Sequence, residues 1–265
     1  LIPGDSLEIP VVGSGRTDAG VHALGQVIHF DLPPRLQRKT HDVLPHLDGE
    51  TVKKALNHHL RLNQLKSVPP TPPGTNPCIP PQDIMVVEAQ AVSEDFHARF
   101  SAERRTYMYR VWTAIQPPLF HSERCWHVRE ELDVPEMKKA AKLLLGTHDF
   151  SSFRSSGCQA LHATRTIDEL TVSSQPIDPL GLPVRRDDPT AEALGSIIDV
   201  RVASKAFLYN QIRRMVSTLV SVGMGKLTTE EVGKILEKRD NSLIPTLAPP
   251  YGLYKYRVDY PTSTS

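Results

Sequence analysis

The stretch SGRTDAGVHA, residues 14–23, sets Arg16, Asp18 and His22 around Gly15 and Gly20, directly after Gly13. Three chemistries could use such a loop. A phosphate cradle is the first, but a Walker-type loop ends in Gly-Lys-Ser/Thr, which is missing here. The dinucleotide fingerprint would need glycine where Asp18 stands, and an unpaired carboxylate repels a pyrophosphate. A metal site is the second. There is no His-Glu-x-x-His, His58 and His59 are adjacent, and Cys78, Cys125 and Cys158 are scattered, so no metal ligand set forms. Nor is there a Gly-x-Ser-x-Gly elbow for a serine nucleophile. Asp18 itself remains. In Thr-Asp-Ala-Gly it reads either as a turn or cap aspartate, or as a reactive carboxylate. With an ordinary pKa of about 3.9, such a group is ionised at neutral pH and needs no separate base to activate it. The second reading draws on Arg16, two residues earlier, and on an Arg213-Arg214 pair far downstream.

The elements that must position these residues follow from hydrophobic period. QVIHFDL (26–32) alternates as a strand, and ETVKKALNHHLRL (50–62) spaces Val52, Leu56, His59 and Leu60 as a helix. The proline-rich SVPPTPPGTNPCIPPQ (67–82) admits no regular element and reads as a surface insertion. DIMVVEAQAV (83–92) and RRTYMYRVWTA (104–114) read as strands. DVPEMKKAAKLLLG (133–146) is predicted to be a helix capped by Asp133, with Glu136 completing a capping box and Gly146 ending it. TRTIDELTVS (164–173) and SIIDVRVAS (196–204) alternate as strands around a loop over 175–194. YNQIRRMVSTLVSVG (209–223) carries Ile212, Met215, Val216, Leu219 and Val220 as one helical stripe. TTEEVGKILEKR (228–239) is a further capped helix, and GLYKYRVDY (252–260) a last strand. This order predicts an α+β protein with a mainly antiparallel sheet and helices packed on it.

Composition narrows the class. At 39% apolar and 23% charged residues the chain is an ordinary globular one. No apolar run reaches the length of a membrane span, and three separated cysteines fit a reducing compartment better than a disulfide framework. The net charge of +1 neither demands nor excludes nucleic acid. The start, LIPGDSLEIP, has no secretory pattern and reads as a loop.

Taken together, GSGRTDAGVHALGQVIHFD (13–31), DFHARFSAERRTYMYRV (95–111), LLGTHDFSSFR (144–154), AFLYNQIRRMVSTLVSVG (206–223) and GLYKYRVDYP (252–261) resemble the TruA family of tRNA pseudouridine synthases. The match is in order over residues 13 to 261, and Arg-Thr-Asp-x-Gly-Val is its most specific part. Ala19 and His22 resemble the bacterial and organellar branch; the nuclear branch has Lys and Ser there. The resemblance implies the pseudouridine-synthase fold, a mainly antiparallel mixed sheet flanked by helices around a central cleft. It places an N-terminal catalytic half at 1–114 and a C-terminal half at 115–265. Because that family begins with a strand well ahead of the Arg-Thr-Asp motif, the N-terminal half is expected to be incomplete.

The same resemblance implies the residues. Asp18 matches the essential catalytic carboxylate and Arg213 the arginine that pairs with it; alternatively Arg213 and Arg214 form the solvated face of their helix. Tyr107 matches the active-site tyrosine, whose ring can stack on an extruded base. Tyr109 shares its strand face, and alternation does not separate the two. Arg16, Arg99, Arg105 and Arg154 are expected to meet RNA, with Arg104, Arg110 and Arg165 adding basic surface. Arg214 is read as solvated or phosphate-facing, and Phe153 as core. The implied activity converts uridine to pseudouridine in the tRNA anticodon arm, with no metal and no small-molecule cofactor. The implied partner is tRNA, bound by a homodimer away from membranes, inside the cell in the mitochondrion or cytoplasm. The alternative is a non-catalytic RNA-binding or RNA-chaperone module that kept the fold.

Overall fold

The computed structural model describes residues 8–37, 42–66, 82–178, 184, 194–244 and 246–261. The chain divides into two compact units. One contains Phe30–Phe96 together with Leu1–Pro10, and the other contains Val11–His29 and His97–Ser265.

The larger unit is built on one six-stranded sheet. In chain order its strands and helices are β1 (Val12–Gly13), β2 (His22–Ala23) and β3 (Ile28–His29), followed after residues 30–96 by the rest. Within the other unit lie β4 (Arg35–Leu36), β5 (Val43–Leu44) and α1 (Gly49–Lys66). The larger unit resumes with β6 (Arg104–Ala114), β7 (Trp126–Val128), α2 (Val134–Leu143), β8 (Gly146–Asp149), β9 (Thr164–Ile167), β10 (Glu169–Ile177) and β11 (Gly195–Ser204). It ends with α3 (Gln211–Gly223), α4 (Thr229–Lys238) and β12 (Leu253–Asp259). The sheet order is β10-β11-β6-β12-β2, with β7 also on β6. Most pairs are antiparallel; β12–β2 and β6–β7 are parallel. This is the mixed α+β arrangement expected.

β6 is the spine. Its eleven residues match the expected 104–114 run, and its threonine, tyrosine and valine content suits a pleated, covered surface. Helices α2, α3 and α4 bury their apolar stripes in the main core of this unit. Ile212, Met215, Val216, Leu219 and Val220 of α3 are all in the main core, with Met137, Ala140 and Ala141 of α2. The two helices approach closely at Gly223, where a Cβ would lie 2.9 Å from the Met137 sulfur, and Asp133 N donates to Gly223 O at 2.8 Å. α4 has the complete capping box predicted for it. Glu231 N donates to the Thr228 hydroxyl and Thr228 N donates to the Glu231 carboxylate.

Several sequence expectations need correction. Asp133 does cap α2, accepting from Glu136 N at 2.9 Å, but Glu136 completes no box: its carboxylate takes Lys139 and the Thr229 hydroxyl instead. The 164–173 run is two strands, broken at Asp168, whose N–H bonds to Ala203 O. Residues 26–32 keep only Ile28–His29 as a strand. Segment 83–92 joins no β-ladder despite its β-forming residues. In its unit the Asn57 side chain on α1 serves Val86 at both N–H and C=O, at 2.7 and 2.8 Å, as a neighbouring strand would. The proline-rich insertion lies outside the described residues except Gln82, and the 175–194 loop outside them except at its edges and Val184.

Leu219 is fully buried on α3. Leu219→Ala should therefore cost about 2–5 kcal/mol by loss of transfer energy plus the cavity left behind, read as a lower midpoint in urea unfolding with unchanged slope.

Candidate active site

Asp18 sits at the first position of a tight turn between β1 and β2, closed by Val21 N donating to Asp18 O at 3.1 Å. Gly20 takes φ +80°, which L side chains rarely adopt, and a Cβ there would also press on Pro250 at 3.1 Å. The turn aspartate of the ordinary reading is thus real as backbone geometry. Its side chain nevertheless points to a cation: Arg213 Nη1 lies 3.8 Å from Asp18 Oδ2, with 13% of the arginine side chain and 36% of the aspartate side chain exposed. At that separation the contact is an ion pair and not a hydrogen bond.

Arg213 is aimed by its surroundings before Asp18 is considered. Asn210 begins α3 in the left-handed region, φ 60°. From there its side-chain oxygen accepts from Arg213 Nη1 at 3.0 Å, while Arg213 Nε donates to Ala248 O at 2.7 Å. The guanidinium is planar and permanently charged, so two fixed hydrogen bonds orient its remaining edge. Arg214 points elsewhere, donating to the Ser155 hydroxyl and to Asn241 O. It is neither fully solvated nor free for phosphate, and partial burial lowers its pKa.

The tyrosines that alternation left equal are separated by burial. Tyr109 is fully buried, and its hydroxyl donates to Pro249 O at 2.8 Å; Gly252 packs on its ring so closely that a Cβ would lie 2.7 Å from Cζ. Tyr107 is only partly buried, rests edge-on against Phe207 at 5.4 Å between centroids, and makes no hydrogen bond through its hydroxyl among the described residues. Burial raises the Tyr107 pKa; Arg105 opposes this, and the Asp18 charge adds to it. Tyr107 therefore shares the electrostatic environment of the carboxylate as a protonated phenol.

The other arginines divide. Arg16 is exposed beside Asp18. Arg99 is also exposed, its guanidinium 5.8 Å over the Phe100 ring. Arg105 is a strut, donating to Lys205 O and Arg99 O at 2.6 Å each and to Ser14 O at 3.3 Å. Arg154 donates to Cys158 O at 2.7 Å and makes no contact with Asp18. Arg104 and Arg110 do not supply free basic surface: Glu169 neutralises the first, and Asp199 holds the second by two bonds of 2.8 Å. Arg165 spends Nη1 on His162 O and Thr164 O. Phe153 is fully buried core, as expected.

Sequence reasoning missed the layer beneath the loop. Ser14 N donates to Val27 O at 2.8 Å, and the Gln26 amide donates to Gly15 O at 2.9 Å. Lys255 of β12 is fully buried and donates to Ser14, Gly15 and Gln26. The one signal was a lysine in the first half of the strand, between Tyr254 and Tyr256. Among the described residues no group of three His, Cys, Asp or Glu could hold a metal ion, and no helix is long and apolar enough to cross a membrane.

The two tyrosines give a measurable contrast. Tyr109→Phe leaves a buried carbonyl without its donor and should cost about 1–3 kcal/mol. Tyr107→Phe removes a hydroxyl without a partner and should change stability by less than about 0.5 kcal/mol. Parallel urea titrations of the two variants check this.

An aspartate in a glycine-bearing turn, an arginine at a helix start and a strand tyrosine thus meet from three distant parts of the chain. Residues 140–261 match the profile of a family described as tRNA pseudouridine synthase. The chain is 40% identical over 255 residues to tRNA pseudouridine synthase A of Rhodospirillum rubrum, covering 96% of this chain and 74% of that protein. It is 38% identical to the protein of the same name from Limosilactobacillus reuteri (96% and 81% covered), and 36% identical to that of Wolbachia pipientis wMel (93% and 80%). With such identity over most of both partners, the chain belongs to the tRNA pseudouridine synthase A (TruA) family.

Proposed function

We propose that this protein converts uridine to pseudouridine in the anticodon arm of tRNA, with Asp18 as the essential carboxylate. The activity class follows from the family. The assignment of Asp18 rests on one observation above all, its ion pair with the doubly anchored Arg213.

The reaction is an isomerisation. The bond from C1′ to N1 of uracil breaks, the base turns within the site, and a bond from C1′ to C5 forms. One proton leaves C5 and one ends on N1, so no cofactor is consumed. The chemistry asks for a carboxylate that stays ionised next to the ribose. Arg213 supports that form by its charge. The base must leave the RNA stack to be reached. The partly open ring of Tyr107 offers a face for it, and its raised pKa keeps it a phenol, a donor and not a phenolate base. Arg16, exposed two residues before Asp18, would meet RNA at the point where the base leaves, and its exposure supports that role. Arg99 offers a second exposed cation on the same unit. Arg105 and Arg154 act by holding backbone, with contact to RNA reserved for their free edges. A homodimer sharing one tRNA is the assembly the family resemblance implies.

Release of tritium from tRNA labelled at C5 of uridine tests the reading. Asp18→Asn should show none, and Arg213→Ala should lose at least ~100-fold in turnover, about 2.7 kcal/mol, with tRNA binding retained. Tritium release by Asp18→Asn at the wild-type rate would remove Asp18 from the chemistry. A wild-type protein that binds tRNA but releases no tritium would instead be a non-catalytic RNA-binding module.

A further inference from the structure

Lys255 is the one fully buried lysine among the described residues, and its surroundings are unusual for a cation. Its Nζ lies 2.6 Å from Ser14 Oγ, 2.6 Å from Gln26 Oε1 and 3.2 Å from Gly15 O. Three ammonium protons meet three oxygens, none of them a carboxylate. Ser14 also donates its own hydroxyl to Gln26 Oε1 at 2.8 Å, so its oxygen is left to accept from the lysine. The Lys255 backbone takes part too: its carbonyl accepts from Leu24 N at 2.8 Å and Gly25 N at 3.1 Å. A buried ammonium without a counter-ion costs stability, and an apolar side chain of that length would pack there more cheaply. What the ammonium does and an apolar chain does not is fix three oxygens at both ends of the loop that carries Asp18.

We propose that Lys255 is a positioning residue for the isomerisation: its ammonium clamps Ser14, Gly15 and Gln26 and thereby sets the direction of Asp18 towards Arg213. The proposal rests on the reading of Asp18 as the catalytic carboxylate. Protonation matters because the neutral amine has only two N–H donors for three acceptors, and its lone pair would face an oxygen. The charged and titratable groups facing this cage are Arg105 from β6, which donates to Ser14 O, and the Tyr260 hydroxyl, which interacts with Ser14 and donates to Ala98 O. Burial first, and Arg105 second, lower the Lys255 pKa to about 8. Because the folded value lies below the unfolded one, the unfolded chain binds more protons between the two. Folding stability from this group therefore rises as pH climbs past about 8. Turnover is expected to fall over the same range, an opposition that a merely structural lysine would not produce.

Three chains, wild type, Lys255→Met and Asp18→Asn, are compared in the tritium-release assay from pH 6.5 to 9.5, with melting followed in parallel. Lys255→Met keeps the stem and removes the donors. Its kcat should drop at least tenfold with KM for tRNA within twofold and no fall in Tm, and the wild-type decline near pH 8 should vanish. A Lys255→Met kcat within twofold of wild type overturns the proposal, as does a loss matched by weaker tRNA binding. Should Lys255→Met fail to fold, Ser14→Ala decides: a several-fold lower kcat at unchanged KM supports the clamp, and an unchanged kcat refutes it. An active Asp18→Asn would mark failure of the underlying reading, separable from an inactive Asp18→Asn beside an active Lys255→Met.

Discussion

Opposite charges from distant parts of a chain meet only if each is held by its own surroundings, and the Asp18–Arg213 pair is built that way. Neither partner is aimed by the other alone, since a 3.8 Å contact is too long to orient either. Arg213 is set by Asn210 and Ala248, and Asp18 by the closed turn with Gly20 at its tightest point. The attraction joins two groups already held in place, so on the proposed reading little ordering is left for the moment when substrate arrives.

The sheet supplies the rigidity for that arrangement. β6 lies between β11 and β12 and carries both tyrosines; one is sealed into the core and one faces the carboxylate. The segment just before β12 is tied down by Arg213 of the candidate site and by Tyr109 of the core. Ala248 O receives Arg213, Pro249 O receives Tyr109, and Gly252 lets the chain press onto the tyrosine ring. A buried core contact and the anchor of Arg213 fall on adjacent carbonyls. Packing and the proposed chemistry are coupled there across a single residue of backbone.

Much of this was legible in the sequence, and the exceptions have physical reasons. The β6 run, the α3 stripe and the α4 capping box are local patterns, and each appears where residue type and spacing place it. The residues of the Asp18 loop alone left a turn aspartate and a reactive carboxylate both open; the structure shows the turn, and shows the side chain paired with Arg213 as the family resemblance implied. Arg104 and Arg110 were misjudged as free basic surface because charge alone does not disclose a partner. Arg110 is neutralised by Asp199 directly opposite on β11, which only strand register reveals. The 83–92 segment has strand composition, yet the Asn57 side chain takes the place of a pairing strand. Lys255 was passed over because a lysine in a strand ordinarily ends in water, whereas here a cage of three oxygens receives it.

The parallel pairing of β12 with β2 has a consequence in time. Lys255 is made 241 residues after the Ser14 it grips, which at ribosomal rates of roughly 5–20 residues per second is roughly 10–50 s. Throughout that interval a growing chain already displays Asp18 but has neither the strand that flanks its loop nor the ammonium beneath it. On the proposed reading, an unfinished or C-terminally clipped chain carries Asp18 without the means to aim it. The last strand then acts as a completeness check written into hydrogen bonds, passed only by a chain translated through β12.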